Sequence, residues 1–231
     1  MLISGVSSGI GLALAKEYLS RGVEVYGFSR RLCPLKHNNL KMSQIDLKNL
    51  ETLPGDLSKL LSEVNQLDLV VLNAGLLGKI AKMSDVSIDE MQEIMAVNMW
   101  ANKVILDFLF EGIARVDQVI GVSSGAAVNG NKGWGAYSLS KCALNMLLKL
   151  YAGEQERTHF TAFAAGLVDT SMQDYLCSLE VGEDFPSLTR IQASRGTENM
   201  PTPEALAKRL PEVFEGLKSR PSGDFVDLRK M

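Results

Sequence analysis

Short apolar runs alternate with longer amphipathic segments along most of this chain. The apolar runs predict strands at residues 1–4, 23–28, 41–45, 67–72, 118–122, 159–164 and 224–226. Apolar positions at helical spacing predict helices at residues 10–20, 57–64, 88–110, 136–153 and 204–217. Strands that alternate with helices usually pair in parallel and are covered on both faces. We therefore expect an α/β fold built on a doubly wound parallel sheet.

Composition narrows the class of protein without changing that picture. The chain has 231 residues, of which 46% are apolar and 22% charged, which is typical of one globular domain spanning 1–231. Its net charge is −3 and it has no basic tract, so we expect no binding to nucleic acid or to a membrane. Its three widely spaced cysteines fit neither a disulfide framework nor a metal site, so we expect no metal and a cytoplasmic location.

A glycine-rich segment lies between the first predicted strand and the first predicted helix. It comprises Gly5, Ser7, Ser8, Gly9, Ile10 and Gly11. Glycines at such a junction allow a tight turn, and the free N–H groups of the helix N-terminus attract phosphate. The segment therefore indicates a Rossmann-like dinucleotide site. The alternative is a turn without a ligand, because the spacing Gly-x-x-x-Gly-x-Gly differs from the more familiar G-x-G-x-x-G.

Two arginines follow the second predicted strand. A dinucleotide site needs at this point either a carboxylate for a ribose 2′-hydroxyl or a cation for a 2′-phosphate. Arg30 and Arg31 are cations and no acid accompanies them, so the sequence favours NADP(H) over NAD(H). The alternative is that both side chains lie on a solvated strand edge.

Tyr137 and Lys141 lie four residues apart near the start of a predicted helix, so their side chains share one helix face. A phenol with a pKa of about 10 exchanges protons poorly at neutral pH, and a nearby ammonium lowers that pKa. The pair therefore predicts a tuned general acid/base. Ser124 follows a predicted strand end, where its hydroxyl can hold a substrate oxygen. A chance Tyr/Lys pair and an ordinary Ser-Ser-Gly turn are the alternatives.

Asn98 interrupts the apolar stripe of the helix predicted at 88–110. A buried amide needs hydrogen-bond partners, because leaving it unpaired costs about 1–3 kcal/mol. We therefore expect Asn98 to bond to backbone, water or a ligand, and both a structural and a catalytic role fit this expectation.

Several of these motifs occur together in one order along the chain. They are SGVSSGIG at 4–11, Asp46-Leu47, LNAG at 72–75, Asn98, Ser124, Tyr137 with Lys141, and AGLVDT at 165–170. In order and spacing they resemble the short-chain dehydrogenase/reductase family. This sequence departs from the family at Ser4, where threonine is usual, and at Ala165, where proline is usual.

The resemblance implies a role for each of these positions. Tyr137 would protonate a carbonyl, Lys141 would lower the pKa of Tyr137 and bind the nicotinamide ribose, and Ser124 would orient the carbonyl oxygen. Asn98 would hold a water molecule in the proton relay. The further cofactor-binding positions that the resemblance implies are Asp46 at the adenine ring, Leu47 beside it, Asn73, Ala74 and Gly75 in the cofactor cleft, and Val168 and Thr170 at the nicotinamide amide and the phosphates.

A narrower resemblance concerns the sepiapterin and benzil reductase branch, whose members reduce vicinal dicarbonyl compounds with NADPH. It rests on GLVDTSMQ at 166–173 and SGDFVD at 222–227. It implies that Asp227 anchors an amino group of the substrate; the alternative is an ordinary solvated acid. Trp134 would stack on a planar substrate or pack against its loop. Residues 171–203 would form a mobile lid over the substrate.

The sequence thus predicts an NADPH-dependent carbonyl reductase that transfers a hydride to a ketone of a small molecule, with a vicinal dicarbonyl as the favoured substrate. A 3-oxoacyl thioester reductase and an alcohol dehydrogenase are the alternatives within the family. A non-catalytic protein that senses NADP(H) is the alternative of another class, although such a protein has no need of the proton donor Tyr137. The resemblance also implies a homodimer in which helices 88–110 and 136–153 pair.

Overall fold

Seven parallel strands form the main sheet of the protein. The computed structural model describes residues 1–180 and 184–231. The strands are β1 (Leu2–Ser4), β2 (Val25–Ser29), β3 (Leu40–Gln44), β4 (Gln66–Leu67), β5 (Val70–Leu72), β6 (Arg115–Val116), β7 (Gln118–Val122), β8 (His159–Ala164) and β9 (Asp224–Asp227). The main sheet has the order β3-β2-β1-β5-β7-β8-β9, whereas β4 and β6 pair separately. The order reverses direction between β1 and β5, so the predicted Rossmann-like, doubly wound α/β fold is confirmed.

Helices cover both faces of this sheet. They are α1 (Gly9–Ser20), α2 (Leu53–Leu60), α3 (Ile88–Met95), α4 (Ala101–Gly112), α5 (Ala126–Asn129), α6 (Gly135–Glu154), α7 (Ser171–Ser178), α8 (Pro186–Ser194), α9 (Pro203–Ala207) and α10 (Leu210–Leu217). A π-helical segment, Ala96–Trp100, joins α3 to α4, and 3₁₀ turns lie at Met83–Asp85 and Leu228–Lys230. None of the helices in the described part of the chain is long and apolar enough to cross a membrane.

Alternate residues of the central strands pack into two separate apolar cores. In β5, Val70 and Leu72 belong to the core that contains Leu57 of α2 and Ile105 of α4. Val71 belongs to the core on the other face, which it shares with α1 and α10. Both faces of the parallel sheet are thus buried, which explains why its strands are continuous apolar runs in the sequence.

Four predicted elements differ in the structure, one of them the helix predicted at 57–64, which lies at Leu53–Leu60. The strand predicted at 67–72 is divided, because its first residue pairs with β6 whereas Val70–Leu72 pairs with β1 and β7. The helix predicted at 204–217 is also divided, into α9 and α10, since Pro211 has no N–H to continue the hydrogen-bond ladder. The helix predicted at 88–110 contains the π-helical segment. The last difference falls at the active site and is described there.

Candidate active site

A cavity of about 700 Å³ lies along the carboxyl ends of the parallel strands. Doubly wound sheets bind ligands at this edge, beside the point where the strand order reverses. The predicted site residues that line the cavity are Gly5, Ser7, Ser8, Gly9, Ile10, Arg30, Arg31, Asp46, Leu47, Asn73, Ala74, Gly75, Ser124, Trp134, Tyr137, Lys141, Val168 and Thr170. Three predicted site residues, Gly11, Asn98 and Asp227, are not among the described residues of its lining.

Close packing explains the glycines of the turn between β1 and α1. Gly5 and Gly9 have φ values of +76° and +58°, in the left-handed region that favours glycine. Gly11 lies behind the turn, where a Cβ atom would be 2.3 Å from the backbone oxygen of Gly5. Gly11 therefore lets α1 approach the turn, and it shapes the ligand site without lining it.

Hydrogen bonds of Ser4 join the end of β1 to the segment that follows β5. Its hydroxyl oxygen accepts hydrogen bonds from the backbone N–H groups of Asn73 and Ala74, at 2.9 and 3.0 Å. The Asn73 side chain donates in return to the backbone oxygens of Ser4 and Gly5, at 3.0 and 3.2 Å. These bonds need only a hydroxyl at position 4, so serine serves here as well as threonine.

One end of the cavity, beyond the glycine turn, is cationic. Arg30 and Arg31 follow β2, and Nη2 of Arg31 donates to Oγ of Ser8 at 3.1 Å. Arginine side chains close to a helix N-terminus suit a phosphate, because both present positive charge and N–H donors to it. Asp46 and Leu47, after β3, line the same end. The residues present therefore fit the adenosine part of a dinucleotide.

The predicted acid/base group lies in the opposite part of the cavity. Helix α6 places Tyr137 and Lys141 one turn apart, with Nζ of Lys141 5.8 Å from the centre of the Tyr137 ring. This Nζ donates to the backbone oxygen of Val122 at 2.7 Å. Lys141 is only 3% exposed, and burial lowers its pKa to about 8. The amino group is thus held at a fixed place beside the phenol.

Burial favours the neutral form of the Tyr137 phenol. Burial raises its pKa above the ordinary value, and the nearby Ser124 side chain lowers it to a smaller extent. Desolvation of the phenolate is the largest effect on this pKa, and the lowering by Lys141 expected from the sequence stays a prediction. A protonated phenol is the form that can donate a proton to a substrate oxygen.

Asn98 lies in the π-helical segment and is fully buried. Its side-chain oxygen accepts from the N–H of Leu76 at 2.7 Å, and its nitrogen donates to the backbone oxygen of Leu76 at 2.8 Å. The same nitrogen donates to Oγ of Ser140 at 2.9 Å. Asn98 thus joins the segment after β5 to the helix that presents the acid/base pair, which favours the structural alternative. Single π-turns inside α-helices are frequent at functional sites.

Trp134 connects α6 to the predicted lid, residues 171–203. Its indole N–H donates to Oγ of Ser187, on α8, at 2.7 Å. Its ring also packs against Leu176, on α7, and it lines the cavity. Packing and ligand contact, the two roles predicted for Trp134, are both compatible with this position. The lid contributes α7 and α8 to the cavity wall, and its residues 181–183 lie outside the described residues.

Asp227, the predicted substrate anchor, is bound by Arg229. Oδ1 accepts from the backbone N and from Nε of Arg229 at 3.0 and 2.9 Å, and Oδ2 accepts from Nη2 at 2.6 Å. The Arg229 guanidinium holds the pKa of this carboxyl below its usual range. It is Arg229 that lines the cavity. Arg229 was not predicted as a site residue. Its only signal in the sequence is that it follows Asp227 by two residues at the end of a strand, and this spacing does not by itself indicate a ligand site.

The family model of the short chain dehydrogenases matches residues 1–179, which contain the glycine turn and the acid/base pair. The chain belongs to the short-chain dehydrogenase family. The resemblance seen in the motifs is thereby confirmed, and with it the prediction of an oxidoreductase. The choice of cofactor and the substrate stay predictions.

Known relatives of this short-chain dehydrogenase span its whole length. The benzil reductase ((S)-benzoin forming) of Bacillus subtilis (strain 168) is 31% identical and covers 99% of this chain and 98% of its own. The Bacillus cereus protein of the same name is 26% identical and covers 98% and 97%. A short-chain dehydrogenase/reductase crystal structure from Saccharomyces cerevisiae superposes with a TM-score of 0.86 at 22% identity, covering 98% of this chain and 94% of that one. The expected nearness to the benzil reductase branch is confirmed.

Proposed function

We propose that this short-chain dehydrogenase is an NADPH-dependent carbonyl reductase that acts on vicinal dicarbonyl compounds. The observation that supports it most is the convergence of Ser124, Tyr137 and Lys141 at one part of a cavity whose other end has Arg30 and Arg31. A reduced nicotinamide bound in this cavity supplies a hydride. The protein supplies the position of the substrate, a proton and exclusion of water.

Tyr137 is the proposed proton donor. Its neutral phenol donates to the oxygen of a bound ketone while the Ser124 hydroxyl holds the same oxygen. An ammonium at Lys141 has three N–H donors and uses one of them on Val122, so others remain for a ribose hydroxyl. Its positive charge also favours the phenolate that forms as the proton leaves. Because the pKa of Lys141 is about 8, its ammonium stabilises the phenolate most at neutral pH and less above pH about 8, where the ammonium loses its proton.

Asn98 is proposed as a positioning residue for this group. Its side-chain amide is committed to Leu76 and Ser140. Its backbone oxygen accepts from the side chain of Asn102 at 2.8 Å. Through Ser140 it fixes the turn of α6 that presents Lys141. The role that the family implies for Asn98, holding a water molecule in the proton relay, stays a prediction.

NADPH is the proposed cofactor because of the charges at the far end of the cavity. Arg30 and Arg31 are suited to bind a 2′-phosphate, and we assign the adenine ring to the neighbourhood of Asp46. Val168 and Thr170 line the middle of the cavity, where the family implies contacts with the nicotinamide amide and the phosphates. Thr170 also lies against the glycine turn, since a Cβ at Gly9 would be 3.3 Å from its Cγ2.

The proposed substrate class comes from the two benzil reductases, whose name describes reduction of a vicinal diketone. Trp134 and the apolar side chains of α7 and α8 give the wall that a planar aromatic diketone needs. We keep the lid role of residues 171–203 as part of the proposal. Asp227 as the anchor of an amino group stays a prediction, and the hydrogen bonds from Arg229 to its carboxylate weigh against it.

A homodimer and a cytoplasmic location complete the proposal. Leu139, Met146 and Leu150 on α6 are exposed apolar side chains, as is Trp100 next to α4. Apolar side chains exposed on the two long helices favour their pairing with a second copy. Light scattering after size exclusion should give twice the chain mass, and Met146→Glu should give a monomer. A monomeric wild type would contradict the homodimer.

The proposal is tested by following the absorbance of the reduced nicotinamide, with NADPH and NADH in parallel. The panel contains benzil, 1-phenyl-1,2-propanedione, a pterin diketone, an acetoacetyl thioester and simple ketones. We expect NADPH to be consumed fastest with the vicinal diketones, and NADH at least about 10-fold more slowly.

Each alternative has its own outcome in this panel. Fast turnover of the acetoacetyl thioester alone would identify a 3-oxoacyl thioester reductase. Oxidation of simple alcohols with NADP⁺ as the main activity would identify an alcohol dehydrogenase. Tight NADPH binding without turnover of any compound would indicate the NADP(H)-sensing protein and contradict catalysis.

A further inference from the structure

The part of the cavity nearest the lid is cationic, although the chain as a whole has a net charge of −3. Arg190 of α8 and Arg229 after β9 line this part, and no Asp or Glu is among the described residues that do so. Lys141 adds a third cation that the proposed mechanism already uses. Such a wall favours a ligand that carries negative charge.

Arg229 is fixed in place by its ion pair with Asp227. Nε and Nη2 donate to the two carboxylate oxygens at 2.9 and 2.6 Å. This arrangement occupies one edge of the guanidinium and leaves the edge formed by Nη1 and Nη2 for another partner. The Asp227 side chain is 5% exposed and that of Arg229 is 56% exposed. The pair therefore presents its cation, and not its carboxylate, to a ligand.

Two glycines leave room for the Arg229 side chain beside the acid/base group. A Cβ at Gly125 would be 3.1 Å from Nη2 of Arg229, and one at Gly166 would be 3.2 Å from its Cδ. Gly125 directly follows Ser124, which holds the substrate oxygen in the proposed mechanism. The guanidinium thus lies beside the residue next to Ser124, in the same cavity wall.

We propose that Arg229 contributes to substrate specificity by binding a carboxylate adjacent to the reacting ketone, so that 2-oxo acids are reduced more efficiently than their uncharged esters. The inference rests on the proposed reduction of vicinal dicarbonyl compounds, a class that includes 2-oxo acids, whose second carbonyl belongs to a carboxylate. This carboxylate is directly bonded to the ketone carbon, so a cation beside Gly125, the residue after Ser124, is placed to meet it. A guanidinium edge binds a carboxylate through two parallel N–H bonds.

The test compares benzoylformate with its methyl ester, which has the same skeleton without the charge. Arg229→Gln should lower kcat/KM for benzoylformate by about 30-fold, because a charge-assisted pair is lost. The ester should change by less than about 3-fold. The ratio of the two substrates is the readout, since a partly unfolded preparation lowers both rates equally. Arg229→Lys should restore part of the ratio, because a point charge replaces the planar fork.

Two further variants distinguish a change in specificity from a change caused by the unpaired Asp227 carboxylate or by loss of a surface charge. Arg229→Gln alone leaves the buried Asp227 carboxylate without its partner, so the double variant Asp227→Asn/Arg229→Gln removes both charges together. It should give the same change in substrate ratio. Arg157→Gln is the matched control, because Arg157 is exposed in the turn between α6 and β8 and does not line the cavity. It should leave the ratio unchanged.

Calorimetric measurement of carboxylate binding to the NADP⁺-loaded protein tests the role of Arg229 without requiring turnover. Benzoate should bind the wild type about 10-fold more tightly than benzamide, and Arg229→Gln should abolish the difference. If no carbonyl compound is reduced but this difference is found, the proposed function is wrong and the role of Arg229 holds. If the diketones are reduced but neither the rate ratio nor the binding difference changes in Arg229→Gln, the role of Arg229 is wrong.

Discussion

The two ends of the cavity are built in different ways. The end beneath Arg30 and Arg31 is formed by backbone, with glycines in left-handed conformations and with Ser4 bonded to the segment after β5. The lid end is formed by side chains from segments far apart in sequence. There Trp134 bonds to Ser187 on α8, and Arg229 approaches from the end of β9.

This difference separates what holds a cofactor from what selects a substrate. A backbone turn presents the same N–H groups whatever side chains surround it, so it suits a ligand that does not change. A wall of side chains on separate helices can change shape and charge without disturbing the sheet. The acid/base group lies on the lid side of the cavity, on α6, whose first residue directly follows Trp134.

Among the variants that compare the two ends, the largest expected effect is at the acid/base group. Lys141→Met should lower kcat by about 100-fold or more, because the phenolate loses its cation. The same change should raise Tm at pH 7 by about 5 °C, since burial of this charge is costly and lowers its pKa from 10.5 to about 8. Initial rates and calorimetric melting measure the two effects.

The pH dependence of that stability difference has a definite sign. The folded protein binds the Lys141 proton more weakly than the unfolded chain, so the destabilising effect is complete below pH about 8 and disappears as the pH rises to 10.5. The Tm difference between variant and wild type should shrink over that range. Lys149→Met, at an exposed position of the same helix, is the control and should change neither rate nor Tm. A lower Tm for Lys141→Met at pH 7 would contradict the account.

The cofactor end is tested by Arg30→Gln/Arg31→Gln. This variant should lower kcat/KM for NADPH by about 30-fold and change that for NADH by less than about 3-fold, because only the 2′-phosphate loses partners. Steady-state kinetics with both cofactors measure this. Lys36→Gln, in the same loop but outside the cavity lining, should leave both values unchanged. If kcat/KM falls equally for NADPH and NADH, Arg30 and Arg31 do not select NADPH.

Asn98→Ala tests whether the segment after β5 must be joined to α6. It leaves the buried N–H and C=O of Leu76 without their side-chain partner, so the free energy of unfolding should fall by about 2–4 kcal/mol. Urea denaturation measures the change. Asn65→Ala, at an exposed position, is the matched control and should change stability by less than about 0.5 kcal/mol. If Asn98→Ala has the same free energy of unfolding as the wild type, the side-chain amide does not stabilise the fold by joining these segments.

The smallest expected effect is at the lid end. Ser187→Ala removes the acceptor of the Trp134 indole N–H, so KM for the diketone should rise about 3-fold while the Kd of NADPH stays unchanged. Thr189→Ala, exposed on the same helix, should change neither value. A weaker NADPH affinity in Ser187→Ala would mean that the two ends are not independent.

The cofactor end could be predicted from the sequence because its determinants are local. A glycine turn between a strand and a helix, and a polar residue in the apolar stripe at Asn98, are visible in a few neighbouring residues. The sheet was predictable for a related reason, since strands buried on both faces are apolar runs. The division at 67–72 was missed, because residue type alone does not show which strand pairs with which. The division at Pro211 was missed although a proline inside a helical pattern itself signals a helix boundary.

The lid end could not be predicted, because its determinants are contacts over long stretches of sequence. Helices α7 and α8 were not predicted at all, and no spacing connects Trp134 with Ser187. The burial that raises the pKa of Tyr137 was missed for the same reason. Burial depends on the whole surrounding fold, whereas the neighbouring Lys141 is visible in the sequence.

The central claim is that this site is catalytic and that Tyr137 supplies the proton. The most direct measurement is the rate of NADPH oxidation with 1-phenyl-1,2-propanedione for Tyr137→Phe, beside the Kd of NADPH for the same preparation. The account predicts a loss of kcat of about 1,000-fold or more with a Kd within about 2-fold of the wild type, because only the phenolic O–H is removed. A variant that keeps the wild-type rate would contradict it.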